Sequence, residues 1–166
     1  MARSNGWAGQ VQSRYAAAMD MMTVFQTWDG KTTATLKAVA DQLAPADYDA
    51  LLTACRDLDE TTARAASWVL KAAYEAGHDI AHPSDLLARD LHWEVALHLL
   101  QSVQHVPVGL PPEVVAPYLT HDKPMVRAWA LDAYVRLGAP DAEAVLARAA
   151  DDKAASVRAR ARRLMN

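Results

Sequence analysis

The chain of 166 residues has one cysteine, one isoleucine and one phenylalanine: Cys55, Ile80 and Phe25. A single cysteine excludes an intrachain disulfide and a multi-thiolate metal site. Cys55 follows Leu51 and Leu52 in a helical stretch and reads as a buried, inert thiol. The scarcity of isoleucine and phenylalanine argues against sheet, whose pleated surface favours such side chains. The six glycines are scattered at helix ends, so there is no phosphate-cradling loop, and no Gly-x-Ser-x-Gly nucleophile elbow occurs. No apolar run approaches the roughly 20 residues of a membrane span, and the N-terminus lacks a signal-peptide core. These absences lead us to expect a cytoplasmic, non-membrane protein without disulfides.

What the chain does have is 52% apolar residues, rich in Ala and Leu, both strong helix formers. The Ala/Arg/Asp-rich usage points to a bacterial source. The net charge of −3 hides an asymmetry. From Leu146 onward six basic residues face two acidic ones, a net of +4; the remainder has eleven basic and eighteen acidic residues, a net of −7.

Apolar positions recur at steps of three and four, never at two, so helices are expected throughout and strands nowhere. The first helix is expected over Gln10 to Trp28, on a stripe of Val11, Tyr15, Ala18, Met22 and Phe25, after a loose start at residues 1–9. A second, capped by Thr32 or Thr33, ends before Pro45. Further helices are expected at about Asp47–Leu58, Thr62–Ala76, Ser84–Asp90, His92–Gln104, Pro112–Thr120, from Pro124 to a stop at Gly138, and one opened by Pro140 and Asp141. A last one is capped by Asp151 or Asp152, which makes about ten in all. The Pro- and Gly-rich stretch Val106–Pro111 is a loop.

The second helices superimpose at nearly constant spacing. Val126 has counterparts 31 residues on at Val157, 31 back at Val95 and a further 32 back at Ala63. Four units at such spacing mark a helical repeat array, because one helix pair cannot bury its apolar face alone. Val126-Arg127 and Val157-Arg158 each follow a turn carrying Asp122 or Asp152. This pattern resembles the HEAT repeat, over about Asp47–Asn166. The first unit has Asp59 and Arg64 but Ala63 in place of Val; the second has Val95 followed by Ala96, without the arginine. The resemblance implies an all-α, right-handed α-α superhelix of stacked antiparallel helix pairs. It would comprise N-terminal capping helices over 1–45 and four repeats over 46–166. It also implies a ladder between neighbouring repeats made by Asp122, Arg127, Asp152 and Arg158.

Among chemistry-bearing groups, His78 and His82 lie in a stretch bounded by Gly77 and Pro83, so their spacing of four does not share a helical face; no metal site is expected. Asp57, Asp59, Glu60, Asp151 and Asp152 fall at helix starts, where capping accounts for them. The first helix, with Tyr15, Met19, Met21, Met22, Phe25 and Trp28, reads either as core and cap or as a soft binding face. Within each unit, the positions three, six and ten residues after Ala63, Val95, Val126 or Val157 share one helical flank. There lie His98, Gln101 and His105; Trp129, Asp132 and Arg136; Arg160 and Arg163; and, in the first unit, the apolar Ala66, Val69 and Ala73. Second helices of a HEAT-like stack line the concave face. His98, Gln101, Trp129, Asp132, Arg136, Arg160 and Arg163 are therefore the candidate binding row, set against an ordinary solvated face and against a core role for Trp129.

The expected function is a non-enzymatic interaction scaffold that docks a protein or peptide on this row, with no cofactor. The alternative is nucleic-acid binding, in the manner of HEAT-like DNA glycosylases, through Arg158, Arg160, Arg162 and Arg163. The acidic body argues against it. An enzyme accessory of the HEAT-like bilin-lyase kind has no specific support.

Overall fold

The threonines before the second helix do not cap it with their side chains. In the computed structural model, which describes residues 20–106 and 109–166, helix α1 runs over 20–26 and α2 over Ala34–Gln42. Thr33 occupies the N-cap of α2, but its side chain makes no capping bond. Asp29 organises the turn instead. Its carboxylate accepts from the Lys31 and Thr32 amides (2.9 and 2.7 Å) and from the Thr32 hydroxyl (2.6 Å). These donors, the Thr32 hydroxyl first, hold the carboxyl down to about 2. Helix α3, Tyr48–Ala54, is shorter than the periodicity suggests. Asp59 opens α4, Glu60–Glu75, by accepting from the Thr62 amide and hydroxyl, both at 2.8 Å.

Pro117 breaks the expected Pro112–Thr120 helix. Its missing N–H and its ring against the preceding turn exclude an α-helix there, and two 3-10 turns form, Pro112–Val114 and Ala116–Thr120. The five residues Ser84–Ala88 are likewise a 3-10 turn. Helix α5, Trp93–Ser102, is capped by His92, whose ring nitrogen Nδ1 accepts from the Glu94 amide at 3.2 Å. Helix α6 spans Pro124–Arg136, α7 Ala142–Ala149 and α8 Ala155–Met165. Gly77 and Gly138, at φ +85° and +72°, supply the left-handed stops after α4 and α6. Asp141 holds the N-cap of α7, but its side chain accepts from the Tyr134 hydroxyl at 2.7 Å; Asp152 accepts from the Ala154 amide (2.7 Å) just before α8, and also from an arginine described below. The chain is thus all-helical among the described residues, with no strand. Val11, Tyr15, Ala18 and Met19 lie outside the described residues.

Two compact units meet at Ala73/Tyr74, within α4. In the first, Phe25, Leu36, Leu51, Val69 and Leu70 are wholly buried. Met21 and Phe25 of α1 belong to this core, whereas Met22 and Trp28 are half-buried. Cys55 is buried too, and loss of water pushes its thiol up to about 12, so it has no thiolate character near neutrality. In the second unit α6 packs against α5, α7, α8 and the turn Ala116–Thr120. Leu99, Leu100, Val115 and Leu131 are buried there, each side chain contributing roughly 1.5–3 kcal/mol. The equivalent residues Val95, Val126 and Val157 are all buried, as is Ala63 in the first unit.

His82 ties the stretch after α4 to α5. Its Nε2–H donates to the Leu99 carbonyl (3.1 Å), its ring stacks on Tyr74, and its Nδ1 is buried without a partner. Burial lowers its pKa, only partly opposed by the bond to Leu99. The unfolded chain takes up this proton near pH 6.5, the folded chain only at lower pH. His82 therefore costs no stability above about pH 6.5 and drains it as pH falls toward the folded value. Thermal midpoints at pH 7 and pH 5 should differ less in His82→Gln than in the wild type. An equal difference would assign the acid sensitivity to other groups.

Candidate functional site

A carboxylate on one helix gathers three arginines from two. Asp132 lies mid-way along α6 and is buried, at 1% exposure. Its Oδ2 accepts from Arg136 Nε, one turn further on (2.5 Å). Its Oδ1 accepts from Arg160 Nη1 (2.9 Å) and Arg163 Nη2 (3.5 Å), both on α8. Arg160 also lies over the Trp129 indole, its guanidinium carbon 3.9 Å from the ring centroid. One negative and three positive charges leave the cluster at +2. The helix spacing of three and four places Trp129, Asp132 and Arg136 on one flank of α6, and the packing of α8 on α6 brings Arg160 and Arg163 over it.

Of the seven residues expected in the row, five meet here. Asp132 and Arg160 are not accessible contacts, as the row had them. Asp132 is interior, and the Arg160 side chain is only 14% exposed, pinned between the carboxylate and the indole. Arg136 and Arg163 keep 45% and 65% of their side chains in solvent. Trp129 is half-buried. His98 and Gln101 are half-buried on α5, which also packs against α6. Ala66, Val69 and Ala73 are all buried.

The residues expected to form a ladder divide differently from the pattern that suggested them. Arg127, 6% exposed, donates from Nε and Nη2 to both oxygens of Asp152 (2.9 and 2.8 Å). Its Nη1 donates to the carbonyls of His121 (2.8 Å) and Asp122 (3.1 Å). Asp122 thus serves Arg127 through its main chain. Arg158 donates to the main-chain carbonyls of Asp152 (2.7 Å) and Lys153 (3.0 Å). The Arg127 hydrogen bond holds the Asp152 carboxyl below the usual range, against a smaller opposing effect of burial. In the first unit Arg64 lies near Glu60 (3.7 Å) and over the Trp28 ring (5.5 Å).

Comparison with protein-family models, with curated proteins and with solved structures yields no significant match. The chemistry must therefore be read from the residues themselves. Among the described residues no three His, Cys, Asp or Glu side chains converge as metal ligands. No described helix is long and apolar enough to cross a membrane.

One feature carries no periodic signature in the sequence. A groove of about 550 Å³ lies between the turns Ser84–Ala88 and Ala116–Thr120, floored by Leu87, Leu91, Pro117 and Tyr118. The Tyr118 hydroxyl donates to the Leu87 carbonyl (2.9 Å), and its ring stacks on His121. Both flanking segments are 3-10 turns, which hydropathy alone does not distinguish from short α-helices.

Proposed function

We propose that this chain is a HEAT-like α-solenoid that docks a protein or peptide partner on the face formed by its second helices, α5, α6 and α8, without catalysing a reaction. The observation that carries the reading is the cluster around Asp132, which holds the exposed guanidiniums of Arg136 and Arg163, from α6 and α8, on one surface beside the half-buried Trp129. Tryptophan and arginine dominate binding hot spots. The stacked-repeat arrangement draws support from contacts that link corresponding positions. The Tyr118–Leu87 and Arg163–Asp132 bonds each join residues 31 apart, the same step that separates Val95, Val126 and Val157. The bidentate Arg127–Asp152 pair between α6 and the turn before α8 is in keeping with the ladder that the resemblance implies.

Nucleic-acid binding through the C-terminal arginines has less support. Arg158 is spent on main-chain carbonyls and Arg160 on Asp132 and Trp129. Duplex binders commonly neutralise on the order of 6–10 phosphates, far more than the arginines left over.

Because Arg160 holds a buried carboxylate, replacing it would disturb packing as well as the surface. Arg136→Gln with Arg163→Gln removes the exposed charges and keeps the first two methylenes of each stem. In affinity capture from native-cell extract, with quantitative mass spectrometry, a partner retained by the wild type should fall about tenfold with this variant. Its helicity should stay unchanged while its melting midpoint falls, because Asp132 keeps only Arg160 of its three donors, so capture is compared well below that midpoint. Equal recovery would move docking off this face.

A further inference from the structure

We infer that the segment docking on this face is acidic: a peptide stretch of a partner protein whose carboxylates meet Arg136 and Arg163. This rests on the docking reading above and names the chemistry it selects. A guanidinium has five N–H donors in a rigid fork. Arg136 spends only Nε on Asp132, and Arg163 makes one long contact through Nη2. Their remaining donors lie on side chains that are 45% and 65% exposed. Forks of this kind match a carboxylate with two parallel bonds.

The buried carboxylate behind them is the second reason. Burying Asp132 for stability alone is a poor arrangement, since apolar packing of similar volume does as well. What Asp132 achieves is to tether three long side chains from two helices. The ordering entropy that a partner would otherwise face on binding is thereby already spent. Asp132 neutralises one of the three charges, which leaves a fixed dication on a chain whose net charge is −3. Trp129 lies under Arg160, so it broadens this plate instead of opening an apolar pocket. A short acidic segment suits two cations held in place. A nucleic-acid backbone suits a long basic track, which the inward-turned Arg127, Arg158 and Arg160 do not provide.

The test is fluorescence anisotropy of the full chain with three labelled probes: a short Glu/Asp/Leu peptide, its Gln/Asn/Leu counterpart, and a single-stranded oligonucleotide of equal length. The acidic peptide should bind at least about tenfold more tightly than the neutral one. Binding should drop about tenfold in Arg136→Gln/Arg163→Gln, and hold in the charge-matched control Arg56→Gln/Arg148→Gln. Equal affinity for the neutral peptide, equal loss in the control, or tighter binding of the oligonucleotide would each overturn the assignment. If the acidic peptide fails while a captured cellular partner is still lost with Arg136→Gln/Arg163→Gln, the acidic preference falls and docking stands. If the captured partner is insensitive to that variant, the docking reading falls with it.

Discussion

Arg127→Ala is expected to lower stability by about 3 kcal/mol, more than any other single replacement in the second unit's ionic groups. The guanidinium is 6% exposed and makes four hydrogen bonds, two to Asp152 and two to the carbonyls of the turn before α6. Removing one partner of a buried pair typically costs about 3–5 kcal/mol, because the other charge stays behind unpaired. The lower end applies, since the Asp152 side chain is 18% exposed and regains some water. For a chain of this size that is a fall in the melting midpoint on the order of 10 °C. Denaturant titration should show a lower midpoint at unchanged slope. Arg127→Lys should recover only part of the loss, because a single ammonium cannot span both oxygens and both carbonyls.

The same pair sets a sign for acid. Asp152 has its carboxyl lowered, first by the hydrogen bond from Arg127. A depressed folded value means that the stabilisation is complete above the unfolded aspartate value of about 3.9, and is lost as pH falls through the folded one. Arg127→Ala should flatten the acid limb as well as lower the whole curve. An unchanged midpoint at neutral pH would show that the arginine contributes nothing beyond its solvation.

That pair also shows where reading the chain as a sequence succeeds and where it stops. Steps of three and four locate most of the helices, though not the 3-10 turns at Ser84–Ala88, Pro112–Val114 and Ala116–Thr120. The 31-residue step picks out Val95, Val126 and Val157, which are all buried. Periodicity assigns faces, however, and does not assign partners. Asp152 accepts from the Ala154 amide just before α8, and an arginine 25 residues upstream adds two donors that nothing local announces. Asp132 falls on a helical flank beside Trp129 and Arg136. Nothing local distinguishes an exposed aspartate there from one sealed by side chains 28 and 31 residues later. Asp29 gathers three donors in the turn before α2, because an ionised carboxylate accepts several at once, and Thr33 at the N-cap makes no side-chain bond. Pro117 is plain in the sequence; a single helix from Pro112 to Thr120 gives too little weight to a missing donor in its middle.

Asp132→Ala should be the milder lesion, about 2 kcal/mol, even though Asp132 is the more deeply buried acid. Three charge-assisted bonds disappear, each worth roughly 1.5–3 kcal/mol when made to a charged group. Two offsets reduce the sum. Arg136 and Arg163 have 45% and 65% of their side chains in solvent and can rehydrate, and the desolvation of the carboxylate is no longer incurred. What remains is Arg160, 14% exposed and held against Trp129 with no counter-charge. Replacing it as well therefore decides the matter. Asp132→Leu/Arg160→Met converts the buried ionic centre to an apolar one of similar volume and should recover most of the lost stability. It should still bind the acidic peptide more weakly than wild type, because Arg136 and Arg163 would keep their charges without the carboxylate that positions them. Full stability with wild-type peptide affinity in that double variant would mean that Asp132 positions nothing. A double variant less stable than Asp132→Ala would mean that the ionic centre, and not its volume, holds α8 on α6.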